Sequence, residues 1–213
     1  MNTDDLIERM AQGLEPVTPL PSPGKRAAAW SLAAGLYLGS LALAMALLNG
    51  VAGAGGTAFW LSQAAAIATG ALASGAAFAS VVPGFASRLQ WWAAAGAVVW
   101  LATLLAAPPA DADWSTVAAA SHEWLCVGFI VIGGAPLGAG LAWMLRRGAP
   151  LSPATTAALA ALAVATLANV GACLALPHPN SAVTFAWHGG VAVAVVVLGA
   201  LCGRVVFRWR TEK

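Results

Sequence analysis

The stretch Ser152–Leu176, SPATTAALAALAVATLANVGACLAL, carries no charged side chain from end to end. An apolar run of roughly 18 residues or more is long enough to cross the hydrocarbon of a bilayer as a helix. Five further runs of this kind flank it, giving spans at about 27–48, 57–82, 89–107, 124–145, 152–176 and 184–206. The composition agrees: the chain is 60% hydrophobic and only 8% charged, where a soluble domain has about 25% charged residues. Such a chain cannot clothe itself in polar surface. The expected fold is therefore all-α, a polytopic six-transmembrane-helix bundle (27–213) preceded by a short cytoplasmic segment (1–26).

Orientation follows from the basic residues. Arg9, Lys25 and Arg26 precede the first span, Arg88 lies between the second and third, Arg146 and Arg147 between the fourth and fifth, and Arg204, Arg208, Arg210 and Lys213 end the chain. The other three loops have none. The positive-inside rule then places both termini in the cytoplasm of a multi-pass inner-membrane protein. Residues 1–24 hold Asp4, Asp5, Glu8 and Glu15 and no continuous apolar core, so a cleaved signal peptide is not expected. The net charge of +2 sits at span ends and gives no reason to expect nucleic-acid binding. Trp60, Trp91, Trp92, Trp124, Trp143, Trp187 and Trp209 fall near span ends, the pattern of an interfacial aromatic belt.

The N-terminal segment is different in kind. TDDLIERMAQGL (3–14) reads as a short amphipathic helix with Thr3 as N-cap, Asp4 and Asp5 at the positive end of the dipole, and Leu6, Ile7, Met10 and Leu14 along one stripe. A helix so short is marginal alone and needs a surface to lie on, and its acidic balance disfavours an anionic membrane. A soluble partner's groove suits it better. EPVTPLPSPG (15–24), with four prolines, predicts an extended spacer between this helix and the bilayer. Small residues four apart, at Gly35–Gly39, Gly70–Ser74 and Gly134–Gly138, mark close helix contacts within the bundle or in a homodimer. Pro136 is expected to kink the fourth span.

Ionisable residues inside the apolar stretches are few. His122, Glu123 and Cys126 stand together at the start of the fourth span, the loop before it (108–123) holding Trp114 as a further interfacial anchor. Cys173 lies near the end of the fifth span, with His178 just beyond and His188 one turn into the sixth. All fall toward the outer surface, whereas Cys202 lies at the inner end. Two chemistries suit this set: a Cys126–Cys173 disulfide, or a transient site for zinc, cadmium or copper(I) with Glu123 as extra ligand or orienter. The plainer alternative makes the cysteines small buried residues and the histidines interfacial caps. The chain has no HExxH, GxSxG or Walker sequence, so no enzyme is expected.

TDDLIERMAQGLEPVTPL at the start, a cysteine near the outer end of the fourth span, RRGAPLSP after it, a cysteine near the end of the fifth, FAWHGG opening the sixth and GRVVFRW closing it form a specific combination. Over nearly the whole chain it resembles the NrsF-type anti-sigma factors. That resemblance implies a six-span inner-membrane protein that holds an extracytoplasmic-function (ECF) sigma factor at the cytoplasmic face, away from RNA polymerase. It also implies that paired periplasmic-side cysteines sense heavy metals or oxidants, with Cys126 and Cys173 in the matching places and no part for Cys202. No cofactor is required beyond a transient metal ion. Leu6, Ile7 and Met10 are then the expected anchors on the sigma factor, with Asp4, Asp5 and Glu8 steering. A rival class is a small metal or solute transporter or channel with the outer Cys/His cluster as its entry site; a third is a scaffold without a signal input.

Overall fold

The computed structural model describes residues 2–12, 19–49, 56–84, 88–105, 123–148, 150–176 and 182–208. All secondary structure among them is helical. The elements are α1 (Thr3–Ala11), α2 (Pro23–Asn49), α3 (Thr57–Ala79), α4 (Arg88–Leu105), α5 (Glu123–Gly128), a π-helical turn (Phe129–Gly133), α6 (Gly134–Arg146), α7 (Pro153–Ala175) and α8 (Ala182–Val206). The α5–π–α6 run is one continuous rod.

Five of these helical segments are long and apolar enough to cross a membrane: α2, α3, the α5–α6 rod, α7 and α8. The sixth expected span corresponds to α4, which falls short because it opens Arg88-Leu-Gln-Trp-Trp. Its packing is nevertheless that of the others. Leu89 at its start meets Gly75 of α3, Gly96 meets Thr69 and Leu72, and Trp100 shares a core cluster with Ala66. The helix therefore runs antiparallel to α3 along most of its length.

End-to-end contacts show that the six rods alternate in direction. At one end, Arg26 near the start of α2 donates to the carbonyl of Met144 near the end of α6 and lies over the Phe78 ring near the end of α3, 4.7 Å from its centroid. Ser80 after α3 hydrogen-bonds Thr156 at the start of α7 (2.8 Å), and Arg146 Nε donates to the carbonyl of Val206 at the end of α8 (2.9 Å). Lys25, Arg26, Arg88, Arg146, Arg147, Arg204 and Arg208 all stand at this end. The other end brings the start of α5 to the start of α8, where the rings of Trp124 and Trp187 meet edge-on at 4.9 Å.

The centre of the bundle is α7, the stretch with no charged residue. Of its most apolar window 72% is buried, against 17% for α2 and for α8. Neighbours approach it where they carry glycine: a Cβ on Gly70 of α3 would stand 2.8 Å from Leu167, one on Gly134 of α6 3.2 Å from Val164, and one on Gly203 of α8 2.5 Å from the carbonyl oxygen of Pro153. Helices in lipid gain little from apolar transfer, so this closeness of backbones, and the dispersion it allows, holds them together. The buried hydroxyls of Thr69 and Thr166 bond back to their own helices, at the carbonyls of Ala65 and Leu162, and so enter an apolar interior without stranding a donor.

Several expectations change in detail. Asn2, and not Thr3, occupies the N-cap of α1, and the helix ends at Ala11. The Pro-rich spacer gives up its last two residues, since α2 begins at Pro23; a proline in the first turn lacks only an N–H that would have no helical partner. Around Pro136 the fourth rod contains a π turn just upstream, one of the ways a helix absorbs a proline that cannot donate to the carbonyl four residues back. Of the three small-residue pairs, Gly70 and Gly134 face α7, whereas Gly35 and Gly39 have nothing within 4 Å of a built Cβ. Trp60, Trp91, Trp92, Trp124 and Trp143 are exposed near helix ends; Trp209 and the loop carrying Trp114 lie outside the described residues.

Candidate functional site

The residues singled out as chemistry-bearing divide between the two ends of the bundle. At the end opposite the arginines, Asn169 and Cys173 sit four apart on α7 and hence on one face, and His188 comes from α8. Asn169 Oδ1 accepts a hydrogen bond from His188 Nδ1. Cys173 Sγ lies 3.8 Å from the same nitrogen. Asn169 and His188 are each 1% exposed and Cys173 8%.

The energetics of this cluster explain its arrangement. A polar side chain buried among Ala, Val and Leu loses its water, and it is tolerated when another polar group replaces that water. Because a carboxamide oxygen can only accept, the Asn169 contact places the imidazole proton on Nδ1 and orients the ring. A thiol beside an imidazole becomes a donor set for soft and borderline metal ions once Nδ1 gives up the proton it shares with Asn169. The Nδ1–H is also turned toward Cys173 Sγ, which can share it as a second, weaker acceptor.

Cys126 is fully buried on α5, and α5 packs on α8. The structure thus brings Cys173 and His188 into contact and sets Cys126 at the same end, on the rod that leans on the same helix. None of the three cysteines forms a disulfide. Glu123 opens α5; its side chain, His122 and His178 lie outside the described residues. Among the described residues no three His, Cys, Asp or Glu side chains gather as a metal site. Cys202 is exposed near the basic end, remote in the fold from the other two.

Sequence reasoning passed over Asn169. The available signal was a single carboxamide in an otherwise apolar helix, one turn before Cys173. An amide at that depth calls for a partner.

The second candidate surface is α1. None of its residues is buried; Leu6 is 42%, Ile7 60% and Met10 68% exposed. Asp4 and Asp5 lie in its first turn and Arg9 in its last, in the sense that complements the helix dipole. The helix precedes the end of α2 where the arginines gather. It offers an apolar face flanked by acids, with no part of the described chain covering it.

No curated protein and no solved structure matches the chain. A family model does match it, over residues 10–209, and by that match the protein belongs to the NrsF family, described as negative regulator of sigma F.

Proposed function

We propose that this protein is an integral inner-membrane anti-sigma factor: α1 holds an ECF-type sigma factor at the cytoplasmic face, and Cys126 and Cys173 at the opposite face receive a metal or oxidative signal that releases it. Six rods cross the bilayer in this reading, α4 among them, since it runs alongside α3 in the opposite sense. The basic end faces the cytoplasm by the positive-inside rule, which places α1 and both termini there. The observation that carries the reading is α1 itself. In a chain from a family of sigma regulators, a helix that leaves Leu6, Ile7 and Met10 uncovered is built to dock.

The input is Cys173 with its imidazole partner and Cys126 on the neighbouring rod. A transient zinc or cadmium ion, or oxidation of the thiols, draws α5 against the α7–α8 pair. Between Cys126 and the basic end lies the π turn, Phe129–Gly133. An extra residue in a helical turn is a place where register shifts at low cost, so a pull on α5 is passed to α6 and on to the arginine end. The protein carries no catalytic step in this scheme.

Co-purification of the full chain with the sigma factor, compared with a chain lacking residues 2–14, tests the output. Binding that survives the deletion would move the docking surface to the loops of the basic end. Release by metal or oxidant in the Cys126→Ser, Cys173→Ser double variant would remove the thiols from the input. Flux of metal through proteoliposomes, with residues 2–14 dispensable for the protein's activity, would favour a transporter.

A further inference from the structure

We propose that the trough between α6 and α8 binds an anionic phospholipid, with an acyl chain along the trough and the phosphate on Arg146. This site is independent of the regulatory reading. The trough exists because α6 and α8 both rest on α7 and leave a gap between them, of about 280 Å³. Its floor includes Ala161 and Val164 of α7; its walls include Gly138 and Ala142 of α6 and Gly199 of α8. At the end away from the arginines, beyond Ile130 and Val195 of its lining, α5 leans on α8 through Trp124 and Trp187.

At the other end Arg146 reaches across, its Nε bonded to the carbonyl of Val206, a residue that itself lines the trough. That bond occupies one of five guanidinium donors. Arg146 is exposed, so its remaining N–H groups are available to a phosphate, which the planar fork suits.

Charge selects the occupant. Arg147 lies next to Arg146, over the Trp143 ring at 3.9 Å. The buried Arg26 is bonded to the carbonyl of Met144, on the same last turn. Among the described residues of the bundle the one carboxylate-bearing residue is Glu123, at the far end. A second copy packed into the trough in two-fold fashion would bring the same guanidinium groups together, charge against like charge. A neutral lipid would fill the space and leave the charge unopposed. An anionic phospholipid does both, as basic sites between helices at a cytoplasmic surface do generally.

The test is native mass spectrometry of the full-length protein in detergent, so that the acids of α1 compete as a rival counter-charge. Phosphatidylglycerol and phosphatidylcholine of identical acyl chains are added in turn, and inorganic phosphate separately. One phosphatidylglycerol should be retained, about fivefold over phosphatidylcholine, the worth of one basic side chain at an anionic surface. Arg146→Gln should abolish that preference. Ala142→Phe should lower retention of both lipids, and Gly138→Leu provides the same block should the first variant misfold, since a Cβ there stands 4.0 Å from Val164. Equal retention of the two lipids, or a preference unchanged in all variants, would overturn the proposal. So would Arg146-dependent binding of phosphate as tight as that of the lipid, which would assign a simple anion site.

Discussion

Replacing Asn169 by Leu and His188 by Phe, singly and together, tests whether the buried pair is an interacting unit. Each single change removes one partner of the Asn169–His188 hydrogen bond at a place where both residues are 1% exposed. Asn169 Nδ2 already has no partner among the described residues, so losing His188 would leave the amide with neither end bonded. In a soluble core an orphaned group costs about 1–3 kcal/mol. Between membrane helices the measured coupling is smaller, averaging about 0.6 and reaching about 1.7 kcal/mol, because the chain unfolded in the membrane also finds partners. With both residues 1% exposed, the upper part of that range applies, and a coupling of about 1 kcal/mol is expected. The double variant should therefore be less destabilised than the sum of the singles, since a Leu–Phe pair suits the surrounding Ala and Val. Reversible unfolding in mixed micelles with increasing dodecyl sulfate, followed by circular dichroism, measures this cycle. Additivity within about 0.3–0.5 kcal/mol would show that the two side chains do not interact. A second readout separates positioning from stability: His188→Phe should change the pH profile of Cys173 alkylation in folded protein while leaving that of Cys202 unchanged.

Two other outcomes follow from the geometry. Gly203→Ala should destabilise the bundle by about 1–3 kcal/mol, because its Cβ would stand 2.5 Å from the Pro153 carbonyl oxygen and 2.9 Å from Ala154 Cα, both backbone atoms. Gly35→Ala, with nothing within 4 Å, should be neutral or slightly stabilising in the same assay, since alanine is the better helix former. Equal effects would contradict the closeness of α8 to α7. For the proposed docking helix, Ile7→Ala or Met10→Ala should speed dissociation of the sigma factor by about 30-fold, the loss of roughly 2 kcal/mol expected of an anchor. Asp4→Asn with Asp5→Asn should mainly slow association, and less so at high salt. Surface plasmon resonance distinguishes the two, and an unchanged dissociation rate in both apolar variants would take the contact off α1.

The two candidate ends differ in how they relate to folding. The thiol–imidazole end lies inside the most buried helix, so a change there is paid in packing of α7 and α8. The α1 end contributes nothing buried, so substitutions there leave the packing of the bundle intact. In the proposed scheme this separation lets α1 be covered or released without unfolding the bundle.

The apolar runs and the placement of the basic residues were legible in the chain as written. Transfer of a long uncharged stretch into hydrocarbon is a sum over residues, and it needs no knowledge of neighbours. The N-terminal helix was legible for the same local reason, its face being set by a period of 3.6 residues. Family membership was also visible, carried by short segments spread over the whole length.

Contacts between rods are another matter, because residues far apart in sequence decide them. Gly35–Gly39, a full GxxxG, has nothing within 4 Å of a built Cβ, while Gly70 and Gly134 meet α7; a small residue permits close approach and does not say which helix takes it. Hydropathy left α4 below the five helices long and apolar enough to cross a membrane, and its antiparallel run along α3 shows its place in the bundle. Asn169 gained meaning when α8 laid His188 against it. Sequence alone determined that this chain is a helical bundle with one basic end, because partition into an apolar medium is local and additive. Tertiary structure alone decided that Cys173 has an imidazole and an amide beside it, because a hydrogen bond between helices depends on their relative position, which no single segment encodes.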